Sequence, residues 1–436
     1  MTTSTRALRG RLLTFRDDPA QAGEGAYDYF EDGLLVLDGG TIHDVGAADD
    51  LLPRLPEAAA VDHYPDGLIL PGFIDAHIHF PQTQVIASYG AQLMDWLERY
   101  ALVEELRFAD AGHAARVASF FLDELARNGT TTAAVYGTVH APAAEAFFAE
   151  SQRRNTRMIA GKVLMDRNAP AGLTDTPESG YAESKALIAR WHRKGRQLYA
   201  VTPRFAITST EAQLEAAGAL LREHPDCYLQ THLSENRREI ATVKELFSWA
   251  ESYTGVYERF GLLGPRSLFG HCIHLGAAER RLLSDSGSVA VFCPTSNLFI
   301  GSGLFDLAKA QDPAAPLRVA LATDVGGGTS YSMLRTLGEG YKVLQLQDQN
   351  LPALRAFYAI TLGNARALGL EDRIGTLAPG TEADIVVLDA RATPAMAHRA
   401  ERVETLEEEL FLLMTLGDDR AVAATYIAGE KAYPRT

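Results

Sequence analysis

Leu68-Ile69-Leu70-Pro71-Gly72-Phe73-Ile74-Asp75-Ala76-His77-Ile78-His79 is an apolar run that closes on two histidines with one residue between them. Alternate residues of a strand share a face, so His77 and His79 point the same way at the strand's end. Two imidazoles so placed can hold one divalent ion. Alone the pair is weak evidence, because short motifs recur by chance. The rest of the chain supplies the context. Further strand-like runs centre on Thr130–Val139, Arg157–Asp166, Leu198–Ala206, Cys227–Leu233, Ser267–Leu275, Ser288–Pro294 and Arg318–Asp324. Most are followed by an amphipathic segment; in Ala114–Ala126, Val117, Phe120, Phe121 and Leu125 recur at helical spacing. Eight such units predict an α/β fold closed into a (β/α)8 TIM-type barrel, with its active site at the C-terminal strand ends. A doubly wound open sheet is the competing fold, but no G-x-G-x-x-G follows the first strand.

Outside this rhythm the chain is β-rich at both ends. Leu12–Phe15 and Gly33–Leu37 lie between Gly and Asp turn clusters, and Ile385–Leu388 and Ala421–Ile427 close the sequence around a helical stretch, Glu404–Thr415. The two ends are therefore expected to form one small flanking β-sandwich domain, 1–69 with 377–436, beside a catalytic barrel of 70–376. The net charge of −15 argues against a phosphate-backbone ligand, so no nucleic-acid partner is expected. Three cysteines, Cys227, Cys272 and Cys293, do not make a disulfide framework. Neither a secretory h-region nor a run of roughly 20 apolar residues is present, so a cytoplasmic protein without a membrane partner is expected.

The other strand ends turn the histidine pair into a site. The fifth run ends in His232-Leu233-Ser234-Glu235, the sixth contains His271-Cys272, and the eighth ends in Asp324. Ligand-type residues at four C-terminal strand ends are what a barrel metal centre requires. The donors are nitrogen and oxygen without thiolate, which suits a catalytic zinc with an open position, although iron, manganese or cobalt could be held. A metal there makes hydroxide available near neutral pH. The zinc site of cytidine deaminases needs H-x-E and P-C-x-x-C, and neither motif occurs. Glu235, just past the strand that carries His232, could shuttle a proton.

These segments resemble the amidohydrolase superfamily, from Pro71–His79 to Gly380–Ile385. Within it they are most similar to the guanine deaminases, through His77-Ile78-His79-Phe80-Pro81-Gln82, Thr202-Pro203-Arg204-Phe205, His232-Leu233-Ser234-Glu235-Asn236 and Cys293-Pro294-Thr295-Ser296-Asn297-Leu298-Phe299. The resemblance implies one zinc per chain on His77, His79, His232 and Asp324, with Fe2+ or Mn2+ as alternatives. It implies that His271 holds the attacking water, that Asp324 accepts a proton from it, and that Glu235 protonates ring N3 as water adds at C2 of the purine. It assigns substrate recognition to Gln82, Arg204, Phe205 and Glu235, and it implies a homodimer. The chemistry of these side chains agrees. Arginine offers a planar donor fork to the O6 and N7 edge, phenylalanine can stack on a heterocycle, and glutamine supplies a donor and an acceptor.

Relatives with two metals carry a bridging lysine on the fourth strand; Leu198–Ala206 has none, which favours one metal. Lys162, on the third strand, is expected to pack or pair near the pocket. Cys272, Cys293 and His274 read as ordinary packing residues, and Ser296 and Asn297 as pocket-shaping residues without an assigned bond. Two other readings stay open. One is a deaminase of a related fused ring, such as 8-oxoguanine or a pterin. The other is a non-enzymatic scaffold on the same barrel, though such scaffolds typically lose metal ligands and this chain keeps the set.

Overall fold

The computed structural model describes residues 5–90 and 92–435. Positions 1–4 and 436 of the expected terminal domain, and position 91 of the expected barrel, lie outside the described residues.

The terminal strands form one seven-stranded sheet. β1 (Arg6–Phe15), β2 (Tyr27–Asp38) and β3 (Thr41–Ala47) run as an antiparallel meander. β4 (Ala60–Pro71) pairs parallel to β1 on the other side. The return from the barrel adds β14 (Ile385–Leu388), β15 (Val422–Ile427) and β16 (Glu430–Pro434), all antiparallel. The sheet rolls up. Ile42 on β3 donates to Thr381 O and accepts from Gly380 N, each at 2.8 Å, so the edge strand reaches the segment leading into β14. One curled sheet thus encloses its own core of Leu8, Leu12, Leu35, Ile69, Ile385 and Tyr426, which is how the two faces of the expected sandwich arise.

The barrel strands are β5 (Phe73–His79), β6 (Thr130–Tyr136), β7 (Arg157–Gly161), β8 (Val163–Leu164), β9 (Leu198–Pro203), β10 (Tyr228–Leu233), β11 (Ser267–His271), β12 (Val289–Phe292) and β13 (Arg318–Leu321). They pair in parallel in chain order, β8 continuing β7 beyond Lys162 against β9. The seam between β13 and β5 is closed by other means. Asp324 N donates to His77 O at 2.9 Å and His79 N to Val325 O at 2.7 Å. Below them Asn364 spans the gap, its amide donating to Ile74 O and Leu321 O while its oxygen accepts from Leu321 N. The carboxylate of Asp75 accepts from Thr323 N at 3.1 Å. Ile74, Ala134, Ile159, Ala200, Tyr228, Leu268, Val291 and Ala320 fill the interior, so the barrel is a packed core and not a pore.

Two details of the sequence reading change. Leu68–His79 is not one strand. Leu70 and Pro71, assigned to the barrel, still pair with β14, and the chain changes sheets at Gly72. A Cβ there would lie 2.3 Å from Thr131 Oγ1, so only glycine lets the two sheets meet this closely. In the helix Ala111–Arg127, Val117, Phe121 and Leu125 are buried, but Phe120 is half exposed despite its spacing. Among the described residues no helix is long and apolar enough to cross a membrane.

Candidate active site

β5 shows how the site is aimed. Ile74 and Ala76 pack inside the barrel, yet Ile78 lies in the outer core, His79 lines the cavity and the His77 ring packs against it. Strict alternation cannot give this. The register slips between Asp75 and Ile78, and that irregularity brings both Ala76 and His77 inward. His77 then lies against β11, where a Cβ on Gly270 would be 2.6 Å from its ring. The ring of Tyr136, at the end of β6, packs 4.5 Å from His77 and His79 and 4.9 Å from His232. At the other strand ends His271 and Asp324 have positive φ, 73° and 52°. Non-glycine residues rarely adopt this region, and here it turns the chain just where a ligand-type side chain is presented.

The ring nitrogens and one carboxylate converge. His79 Nε2 is 3.2 Å from His77 Nε2 and 3.3 Å from His232 Nε2, and Asp324 Oδ1 is 3.3 Å from both His77 and His79. Donor bonds of about 2.0 Å in a tetrahedral shell put neighbouring donors roughly 3.3 Å apart. The spacing therefore fits a small divalent cation. Tautomer and charge fit as well. Arg204 O accepts from His232 Nδ1 at 2.7 Å, which leaves the Nε2 lone pair turned inward. Burial pushes His79 down to about 4 and His271 to about 3, and together with the neighbouring imidazoles it holds His232 well below the usual range. All three are neutral near pH 7, as ligands must be. Burial pulls the Asp324 carboxyl up, but His77 and His79 beside it outweigh this and hold it well below the ordinary range.

Glu235 has the opposite character. Burial, with the carboxylates of Glu239 and Asp324 nearby, raises its pKa well above that of a free glutamate. It is held on two sides. Ser302 Oγ donates to Oε1 at 2.8 Å, and His271 Nε2 is 3.2 Å from Oε2. Asn297 Nδ2 meets His271 Nδ1 at 2.9 Å, the bond that the sequence could not assign. His271 Nε2 is 3.9 Å from Asp324 Oδ2, farther than the spacing within the converging set.

Above these groups is a cavity lined by His79, Gln82, Leu93, Trp96, Leu97, Arg204, Phe205, His232, Glu235, His271, Ile300, Asp324 and Gly327. The expected substrate residues Gln82, Arg204 and Phe205 are thus brought to the same space as Glu235. Lys162 is not. It is buried elsewhere, with Asp175 at 2.5 Å and Glu183 at 3.3 Å. Cys293 packs inside the barrel, Cys272 lies in the outer core, and His274 is bonded at 2.9 Å to Ser302 O. Ser296 is buried without a hydrogen-bond partner among the described residues.

A model of the amidohydrolase family matches residues 68–432. The chain belongs to the amidohydrolase family. Its amidohydrolase relatives include guanine deaminase of Escherichia coli K12, 46% identical over 99% of this chain and 98% of that protein. A solved structure of the E. coli enzyme superimposes with a TM-score of 0.97, covering 99% of this chain and 100% of the other. A probable guanine deaminase of Deinococcus radiodurans is 42% identical over 99% of both chains. A guanine deaminase from C. acetobutylicum, solved with guanine in its active site, is 25% identical, with a TM-score of 0.87 over 99% of this chain and 100% of that one. The likeness read from short motifs therefore extends over nearly the whole length of this amidohydrolase.

Sequence reasoning missed Glu105, Ser302 and the pocket roof of Leu93, Trp96, Leu97 and Ile300. Glu105 is wholly buried and bonded to both Arg204 and Gln82. No motif marks it; a lone glutamate is normally solvated.

Proposed function

We propose that this chain deaminates guanine, converting guanine and water to xanthine and ammonia. The observation that carries the reading is that one cavity is lined by three of the converging donors, His79, His232 and Asp324, and also by Glu235 and Arg204. Both bonds from Arg204 to Glu105 use Nη1, which leaves Nη2 and Nε for a ligand. Guanine presents two acceptors, O6 and N7, on one edge. His77, His79, His232 and Asp324 would hold the metal, which we propose is one zinc, with iron or manganese as alternatives. When bound, it supplies Lewis acidity and makes water acidic.

The chain's own residues do the rest. Arg204 and Gln82 fix the purine edge, and Phe205 covers the ring. His271 orients the attacking water, and Asp324 takes its proton. Glu235 protonates N3 as the water oxygen adds to C2 and then takes the proton of the new C2 hydroxyl as C2=O forms, while the proton held by Asp324 passes to the departing amino group, so that both carboxyl groups return to their starting states. We further propose a division into a terminal domain and a catalytic barrel, changing over at Gly72, a cytoplasmic location, and a homodimer, the last supported by the family resemblance.

The test is a substrate panel. Purified protein is incubated with guanine, 8-oxoguanine, isoxanthopterin, adenine and cytosine, and ammonia is measured. Guanine should be turned over with the highest kcat/KM. Adenine, with a donor in place of O6, would leave buried donors unpaired at roughly 1–3 kcal/mol each, so its kcat/KM should be at least about tenfold lower. Faster turnover of 8-oxoguanine or isoxanthopterin would move the assignment to that ring.

A further inference from the structure

Glu105 stands outside every strand end, yet two of the proposed substrate contacts converge on it. It closes the helical turn Leu102–Glu105, in the long excursion between β5 and the helix Ala111–Arg127. Its carboxylate accepts from Arg204 Nη1 at 2.7 and 2.6 Å and from Gln82 Nε2 at 2.9 Å. Arg204 and Gln82 are each 2% exposed, and Glu105 is 0% exposed. Gln82 Oε1 is in turn reached by Gly326 N at 3.2 Å, which ties the group to the chain just after Asp324. Glu105 is not among the cavity's lining residues, whereas Arg204 and Gln82 are.

We propose that Glu105 is a specificity-determining positioning residue. It holds the Arg204 fork and the Gln82 amide in the orientation that reads a purine's O6 and N7 edge. Three features carry this. A bare guanidinium buried this deeply is costly, so some anion must lie against it. That anion sits on one nitrogen, leaving Nη2 and Nε aimed elsewhere. The same carboxylate orders the amide of Gln82, whose carbonyl is fixed by Gly326, so neither amide group is free to flip. Reading of the purine edge then depends on the docking of a segment whose earlier residues, Leu93, Trp96 and Leu97, line the cavity. The inference rests on Arg204 and Gln82 being the substrate contacts.

The test uses the metal-loaded protein and the variants Glu105→Gln, Glu105→Asp and Arg204→Lys, each checked for metal content and thermal midpoint. Turnover is followed with guanine, and 2-aminopurine, which lacks O6, serves as competing ligand. Both Glu105 variants should raise KM for guanine by about tenfold or more, the scale of one charge-assisted hydrogen bond. Their kcat should stay within about threefold of the parent and the Ki for 2-aminopurine within about threefold, because O6 is where the readout is lost. Glu105→Asp carries the test if Glu105→Gln does not fold. Equal losses for both ligands, or a fall in kcat with metal content, would mean that Glu105 merely supports the fold, and would overturn the proposal. So would unchanged guanine kinetics. If Arg204→Lys also leaves the guanine to 2-aminopurine ratio unchanged, the reading of Arg204 itself fails. A ratio altered by Arg204→Lys but not by either Glu105 variant defeats the Glu105 proposal alone.

Discussion

His77, His79, His232, His271 and Asp324 all sit at or just past the ends of barrel strands, whereas Gln82, Glu105 and the roof of Leu93, Trp96 and Leu97 come from the excursion after β5. The first set is held by a parallel ladder and by the cross-seam bonds of Asp324 N and His79 N. The second lies on short helical turns, one of them π-helical, that follow one another without a regular repeat. The contrast teaches that the rim, which gathers imidazoles and one carboxylate, is built from strand ends with local departures, a register slip on β5 and positive φ at His271 and Asp324. The face proposed to meet the ring is tied to the end of β9 by a buried ion pair, Glu105 with Arg204.

Substitutions should separate the two regions, and the largest effect lies at the rim. His77→Ala removes one of four converging donors, and both metal content and guanine turnover should be lost. Elemental analysis and steady-state kinetics on one preparation check this; full activity without His77 would remove the mechanism. Glu235 stands between rim and face. Glu235→Gln should keep its metal while kcat falls by roughly 10²–10⁴, the range for a general acid–base group. Loss of metal with activity would instead make Glu235 part of the rim.

At the face, Arg204→Lys keeps the charge but loses the fork, so kcat/KM for guanine should fall by about tenfold with metal at full occupancy. Unchanged kcat/KM would show that Arg204 does not read the purine edge. The smallest effect concerns Glu239, which supports the loop carrying Glu235. It is fully buried, accepts from Glu235 N and Asn236 N, and is bonded by Tyr253. Burial raises its pKa from the ordinary 4.5 to about 7. A carboxyl raised in the folded state contributes stability that is fully present below pH 4.5 and is lost as pH rises through about 7. Glu239→Gln cannot titrate, so its thermal midpoint should gain on the parent's between these pH values. A constant difference across that range would refute the assignment.

The rim was legible because strand alternation and barrel topology are periodic signals. His77, His79, His232 and Asp324 each end an apolar run, and the barrel brings such ends together whatever lies between them. Even there the phase was not legible. Nothing in the sequence marks the slip between Asp75 and Ile78 that brings both Ala76 and His77 inward. Nor does it mark the extent of β4, which keeps pairing with β14 through Pro71. The face was half legible. Gln82, Arg204 and Phe205 were reached through family motifs, but Glu105 comes 23 residues after Gln82 and 99 before Arg204. Its partners are set by tertiary packing alone, and the residues around it have no single period. Asn297 was noticed without a bond because its partner, His271, lies on the neighbouring strand.

The central claim is that a single set of donors, served by a separate recognition face, makes this chain a one-metal deaminase. Protein stripped with a chelator and titrated with zinc tests it most directly, with guanine turnover and bound metal read in the same samples. Activity should rise linearly and level off at one equivalent per chain, because the groups His77, His79, His232 and His77, His271, Asp324 share His77 and overlap in one centre. A plateau only at two equivalents, or full turnover by the stripped protein, would contradict the account.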